Sequence, residues 1–268
     1  MSVWSRPDAA RPLAGQTALI TGAGRGIGQA IAIRFAAAGA AVACCARTAR
    51  EVETTLELVR RAGGEGIAEP ADVRDPGAME RLACAAVRRF GRLDVAVLSA
   101  GVSPAHAPVE RIPPEVWRDS LEINLTGVYL GLRAVVPHLR AAGGGKVLVL
   151  GSGAWRRAPA GLGAVAAAKA GVSALVRVAA RELRADNIAV NELQPGPTAT
   201  ATHGVTPSDP AHTLAERRVV LEEGLEDDPT IAGEWFKSPR EVAEFALLLM
   251  ILPNYGPSGQ IFSLNSAV

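Results

Sequence analysis

Short apolar runs rich in β-branched residues alternate with longer amphipathic ones along most of the chain, and this rhythm constrains the fold more than any other feature. "TALIT" precedes a helical pattern over 26–38, "AAVACCA" one over 49–62, "GIAEPAD" one over 76–90, "DVAVLSA" one over 115–140 and "KVLVLGS" one over 162–185. "NIAVNELQ" adds a sixth strand-like run and "GQIFSL" a last one. Parallel strands need crossovers, and helices in those crossovers cover both faces of the sheet, so the pattern predicts an α/β, doubly wound parallel sheet of about seven strands. No repeat, low-complexity tract or linker divides the 268 residues, which suits one domain over 1–268.

The rhythm breaks between 197 and 238, where "THGVTPSDPAHT" and an acidic run from Glu222 to Asp228 make a connection too long for an ordinary turn. Loops of that length in compact domains usually serve function, so 197–238 is expected to form a substrate-binding lid insertion. Helix resumes at "SPREVAEFALLLMIL", with Ser238 as N-cap, Pro239 at the first helical position and Glu241 three residues beyond the cap.

Twenty-eight basic residues against 27 acidic ones give no electrostatic case for a nucleic-acid or anionic-membrane partner. The start, "MSVWSRPDAARPLAGQ", has no apolar h-region, and no later run reaches the roughly 18 apolar residues of a span, so a cytoplasmic location is expected. Cys44, Cys45 and Cys84 stand in apolar stretches without metal-ligand spacing, as reduced buried thiols would.

"TALITGAGRGIGQAIAIRF" places Gly22, Gly24, Gly26 and Gly28 between the first strand and the first helix. Such a turn lets backbone N–H groups approach a pyrophosphate at a helix N-terminus. The spacing is GxxxGxG rather than GxGxxG. The second strand ends "CCARTARE", with no acidic residue at its tip to take the adenosine ribose hydroxyls, while Arg47 and Arg25 are available for a 2′-phosphate. Guanidinium matches phosphate oxygens bidentately, so NADP(H) is favoured over NAD(H).

With these motifs in place, the chain resembles the short-chain dehydrogenase/reductase family essentially from end to end, which implies a doubly wound Rossmann fold. "TGAGRGIG" matches the family's cofactor turn, where Gly22, Arg25, Gly26, Ile27 and Gly28 would hold the dinucleotide. The resemblance of "ADV" assigns Asp72 to the adenine amino group and Val73 to a backbone contact. "LSAG" resembles the family's NAG turn, with Ser99 for Asn and with Ala100 and Gly101 beside the cofactor. "PPEVWRDSLEINLTGVYLGLRAVVPHL" resembles the long interface helix, and Asn124 matches the asparagine that helps hold a water next to the catalytic lysine. "KVLVLGSGA" implies Ser152 as the catalytic serine. "QPGPTAT" resembles the PGxxxT segment, which places Pro195, Gly196, Thr198 and Thr200 at the nicotinamide carboxamide. The helices over 115–140 and 162–185 resemble those that form family interfaces, so a homo-oligomer, tetramer or dimer, is expected.

One residue departs from the pattern. The family's YxxxK element reads "VAAAK" here: Lys169 is in place and Val165 occupies the tyrosine position. In family members the phenol exchanges a proton with the substrate oxygen while the lysine holds the nicotinamide ribose and lowers the phenol's pKa. Valine can do none of this. The chain's two tyrosines, Tyr129 and Tyr255, offer little replacement: Tyr129 is expected to pack in the core, and Tyr255 lies near the C-terminus.

Three routes remain open. The substrate can be one that needs no strong acid at that position, such as an iminium ion or an activated C=C whose developing charge Ser152 or a backbone donor stabilises. Another group, His106 or His203, can supply the proton to a carbonyl. Hydride transfer can also be lost, leaving a redox-neutral cyclase, dehydratase or isomerase, or a non-catalytic NADP(H)-binding protein. Removal of the phenol enlarges the pocket, and Trp155 offers a stacking wall for a hydrophobic substrate. The reading these residues favour is an NADP(H)-dependent oxidoreductase that reduces an activated C=N or C=C in a small hydrophobic metabolite.

Overall fold

The computed structural model describes residues 11–200 and 236–265. Strand β1 (Thr17–Thr21) runs into α1 (Gly26–Ala37), β2 (Ala41–Ala46) into α2 (Ala49–Arg61), and β3 (Glu65–Pro70) into α3 (Pro76–Phe90). After β4 (Val95–Leu98) come α4 (Pro114–Leu121) and α5 (Gly127–Ala141), then β5 (Gly145–Leu150), the short α6 (Ala154–Arg157), α7 (Gly163–Glu182) and β6 (Ile188–Gln194). The described part closes with α8 (Pro239–Met250) and β7 (Ile261–Ser263). Among the described residues the strands form one seven-stranded sheet in the order β3-β2-β1-β4-β5-β6-β7, with every pairing parallel.

The uninterrupted apolar character of β1, β4 and β5 follows from burial on both faces, while the two-residue period of a strand divides the side chains between two cores. Leu19, Val147 and Val149 point into the core beneath α3, α5 and α7, with Leu82, Val135 and Val176. Ile20, Leu148 and Leu150 point into the opposite core beneath α1 and α8, with Ile31, Phe35, Val242 and Leu247. Arg34 on α1 and Glu244 on α8 close the rim of the second core with a 2.8 Å ion pair.

Local signals set several boundaries. Asp75 accepts from Gly77 N at 2.8 Å to cap α3, Pro76 occupies its first turn, and Gly91 ends it in the left-handed region at φ 85°. At α8 the expected capping box is present: Ser238 Oγ accepts from Glu241 N at 3.2 Å, and Ser238 N donates to Glu241 Oε2 at 2.8 Å. Buried Lys146 donates to the Met250 carbonyl at the other end of that helix, where the backbone dipole favours a cation.

Other expectations need correction. The helix expected over 115–140 is broken at Glu122–Thr126 by a π-helical segment, because an inserted residue turns Asn124 inward to bond the chain after β4. Tyr129, expected to pack in the core, is 48% exposed on the outer side of α5. Cys84 is exposed, with Sγ 3.9 Å from His138 Nε2, because its alanine neighbours take the inward face of α3. Cys44 and Cys45 are buried in β2, and burial pushes the Cys45 thiol up to about 12. By length and hydropathy α7 is apolar enough to cross a membrane, contrary to the sequence reading, yet half of its apolar window is buried where it packs on β6. Most of the expected lid, 201–235, lies outside the described residues.

Candidate active site

A cleft of about 1010 Å³ opens at the C-terminal ends of the strands, across the point where the chain leaves β1 toward one side of the sheet and β4 toward the other. Crevices at such reversals of strand order are where open α/β sheets take their ligands.

Gly22, Arg25, Gly26, Ile27 and Gly28 line one end of it. Gly22 has φ +66°, and a Cβ there would lie 2.7 Å from Ala100 Cα; a Cβ on Gly28 would collide with the Gly22 carbonyl. Both positions therefore require glycine, and the close approach brings the turn against the loop after β4. Thr21 Oγ1 secures that loop by accepting from Ser99 N at 3.0 Å and Ala100 N at 3.2 Å. Ser99, which replaces the resemblance's asparagine, takes part in this anchoring through its backbone N–H. Arg25 precedes α1 in extended conformation and makes no side-chain cap, so the helix begins with N–H groups directed to the cleft.

Arg47, Asp72 and Val73 form the adjoining wall. Arg47 is exposed, whereas the Asp72 carboxylate is engaged by Arg74, whose Nη2 donates to it at 2.7 Å. That hydrogen bond, aided by the charges of Arg74 and Arg47, holds Asp72 below the ordinary carboxylate range. Glu51 also lines this wall, with its carboxylate packed on the glycine turn: a Cβ on Gly24 would lie 3.0 Å from Glu51 Oε2. Reading only the tip of β2 missed this acid, which enters from the first turn of α2.

At the opposite end the cleft gathers Ala100, Gly101, Asn124, Ser152, Val165, Lys169, Pro195, Gly196, Thr198 and Thr200, with His106 on the rim. Fully buried Asn124 spends its amide on the protein: Oδ1 accepts from Val102 N at 3.1 Å, and Nδ2 donates to Val102 O at 2.9 Å and to Ser120 Oγ at 3.2 Å. The side chain thus clamps the loop beside Gly101 with both of its amide hydrogens and one lone pair of Oδ1, and only the second lone pair of that oxygen is left for a water. Ser152 Oγ accepts from Ala154 N at 3.1 Å, which leaves its hydroxyl proton to donate into the cleft. Lys169 Nζ donates to the Leu150 carbonyl at 2.7 Å. Burial pushes this lysine down to about 8, opposed by the negative charge of Glu192.

Val165 presents an alkyl wall one turn before Lys169 and is also shared with a small apolar cavity of about 20 Å³ beside Ile112 and Val116. Neither Tyr129 nor Tyr255, 48% and 71% exposed, is part of the cleft lining, so no phenol reaches it. Trp155 is likewise not among the cleft-lining residues: its indole lies 5.0 Å from the Arg156 guanidinium and its buried Nε1 has no hydrogen-bond partner among the described residues. In place of an aromatic wall the cleft is lined by the aliphatic Leu162, Ile123 and Val102, residues whose apolar type marks them only as core in the sequence. His203 lies outside the described residues.

The comparisons agree with this geometry. A family model for short chain dehydrogenase matches residues 16–210. An uncharacterised oxidoreductase of Mycobacterium tuberculosis is 39% identical over 203 residues, covering 69% of this chain and 72% of the relative. The (-)-trans-carveol dehydrogenase of Rhodococcus erythropolis is 36% identical over 194 residues, 68% of this chain and 70% of that protein. The crystal structure of carveol dehydrogenase from Mycobacterium avium in complex with NAD superposes with a TM-score of 0.81 at 26% identity, over 96% of this chain and 98% of that one. The chain belongs to the short-chain dehydrogenase family of oxidoreductases.

Proposed function

We propose that this chain is an NADP(H)-dependent reductase of an activated C=N or C=C bond in a small, largely apolar metabolite, working as a cytoplasmic homo-oligomer. The observation that carries the reading is the composition of the cleft: Ser152, Lys169 and Asn124 are gathered there, while Val165 stands in the phenol's place and no tyrosine lines the cavity. A site without that phenol suits a substrate whose reduction does not create an alkoxide beside it.

The residues present fit a dinucleotide. Gly22 and Gly28 permit close backbone approach, and the uncapped start of α1 offers N–H groups and partial positive charge to a pyrophosphate. Arg25 and Arg47 would take a 2′-phosphate, and Lys169 would hold the nicotinamide ribose. When bound, the reduced cofactor supplies hydride to an electrophilic carbon of the substrate. Ser152 donates its hydroxyl proton as a hydrogen bond to charge that develops on the acceptor. Asn124 fixes the wall against which both ligands lie. Half-exposed Tyr129 and Val178, on α5 and α7, supply apolar surface for association between copies.

A second reading is favoured by the carveol dehydrogenases among the similar proteins: oxidoreduction at a carbonyl or alcohol carbon of an alicyclic substrate. Deuteride transfer from 4-deuterated NADPH and NADH to a panel of iminium ions, conjugated enones and alicyclic ketones separates the two. Label in an imine- or enone-derived product is expected. Label only in alcohols from ketones would replace the first reading with the second, and no transfer by protein that binds the dinucleotide would favour redox-neutral chemistry.

A further inference from the structure

Behind the cleft lies a buried carboxylate for which none of the cofactor motifs gives a use. Glu192, in the middle of β6, is fully buried, and both its oxygens accept hydrogen bonds: Oε2 from Ser173 Oγ at 2.6 Å and Oε1 from Gln194 Nε2 at 2.8 Å. Its pocket is made by Gly151, just past the end of the neighbouring strand β5, where any Cβ would collide with Glu192 Oε1. Gly151 immediately precedes Ser152, and Ser173 is one turn beyond Lys169 on α7. The carboxylate is therefore wedged against the two elements that carry the site.

A buried carboxylate is costly unless hydrogen bonds and a nearby cation offset its desolvation. Here the two hydrogen bonds come from neutral donors; Ser173, which holds one carboxylate oxygen, is one turn from Lys169, and Gly151, which abuts the other, directly follows the Leu150 whose carbonyl Lys169 bonds, so the carboxylate's charge favours the Lys169 ammonium. Among the described residues, the other charged groups around α7 face other partners or the open cleft. Asp119 on α4 pairs with Arg74, Glu122 on the π segment also acts on Arg74, Arg156 lies over the Trp155 ring, and Arg157 and His106 are on the cleft wall. The strand β5 offers Lys169 only the Leu150 carbonyl.

We propose that Glu192 is a positioning residue that keeps Lys169 charged, and that the Lys169 ammonium supplies the proton that a phenol at position 165 would otherwise exchange. The inference rests on the reading of the chain as a reductase. Lys169 Nζ reaches the cleft at 3.9 Å from where a Cβ on Gly101 would sit, and Val165 beside it on α7 carries no proton to give. In the step, which applies to a neutral C=N or a conjugated C=C and not to an iminium ion, the hydride that a bound reduced dinucleotide would supply makes the new C–H bond as the π pair shifts to the far atom. An N–H bond of Lys169 breaks to protonate that atom, directly or across one water. The neutral amine then takes a proton from solvent water, and oxidised dinucleotide leaves. Without Glu192 the buried amine would lose its proton at lower pH, and the acid would be absent over more of the neutral range.

The chain has only three lysines, 146, 169 and 237, so lysine ε-carbon labelling gives three NMR titrations that Lys146→Arg and Lys237→Arg assign. In the full-length protein without cofactor, Glu192→Gln is expected to lower the Lys169 midpoint by about one pH, a tenfold loss of ammonium at fixed pH above it. Glu192→Asp, which keeps the charge but withdraws it by one methylene, is expected to give a smaller fall and serves if the glutamine variant does not fold. In turnover, the alkaline limb of kcat should move to lower pH by the same amount, with KM for NADPH changed by less than about threefold. An unmoved Lys169 midpoint in a folded Glu192→Gln protein overturns the coupling. A moved midpoint with an unmoved alkaline limb overturns the role of Lys169 as acid. Failure of the reductase reading is seen separately, as absence of deuteride transfer by the unmodified protein; it would remove the proton step while the titration still decides whether Glu192 governs Lys169.

Discussion

Val165 and Lys169 lie one helical turn apart on α7 and line the same cleft, so an alkyl group and an ammonium occupy the two positions from which this helix addresses a substrate. A phenol restored at position 165 would line the cleft beside the ammonium. For reduction of an activated C=N or C=C, Val165→Tyr is expected to change turnover of the native substrate by less than about tenfold, because no step passes through that position. A positioned general acid is typically worth about 10²–10⁴ in rate. Steady-state kcat for both proteins decides the matter, and a gain toward that range would show carbonyl chemistry waiting for its acid.

Arg47 and Glu51 share a wall of the cleft, where the proposed dinucleotide's adenosine ribose would lie. The guanidinium favours a 2′-phosphate, whereas the Glu51 carboxylate, packed on the glycine turn, opposes one and suits ribose hydroxyls. Arg47→Ala is expected to weaken NADPH about tenfold and NADH less than about twofold, the loss of one charge-assisted contact. Glu51→Gln should shift the balance the other way. Fluorescence titrations with both dinucleotides measure this, and equal losses for the two in Arg47→Ala would mean that the arginine reads nothing at the 2′ position.

How far the sequence could be read follows from the range of each signal. The strand–helix rhythm and the Gly22 to Gly28 turn are local, and the sheet, its order about β1 and the cleft beside that turn all follow from them. Pairings across the fold left no such trace. Asn124 is in the cleft, but its occupation with Val102 depends on a π segment that helical periodicity does not mark. Glu192 reads as one acid in "NIAVNELQ", and only the register of β6 against β5 places it opposite Val149 and against Gly151. Trp155 carries the opposite lesson: an aromatic residue three positions past Ser152 looks like a pocket wall, yet α6 turns it toward Arg156.

The capping box at α8 offers a test of stability by itself. Ser238 and Glu241 satisfy each other's backbone donors at the start of the helix that covers α1. Ser238→Ala removes the acceptor for Glu241 N and is expected to cost about 1 kcal/mol. Urea unfolding should show a lower midpoint with unchanged slope, whereas an unchanged midpoint would mean that other groups already hold the helix start.

The two buried lysines make stability depend on alkaline pH in a defined direction. Burial holds Lys146 and Lys169 down to about 8 in the folded protein, whereas an unfolded lysine titrates near 10.4. Between these values the unfolded chain binds more protons than the folded one, so the free energy of unfolding rises with pH across that window. Below about pH 8 both states carry the ammonium and the cost of burying it is present in full; above the unfolded value both states are neutral and the cost is gone. Each lysine contributes at most about 1.4 kcal/mol per pH to the slope. Lys169→Met should therefore flatten the rise in unfolding free energy between pH 8 and 10 relative to the unmodified protein, and Lys146→Met should do the same by a separate, additive amount. Denaturant titrations at fixed ionic strength across that range measure both slopes. A slope that neither substitution changes would mean that the two ammonium groups reach solvent in the folded state.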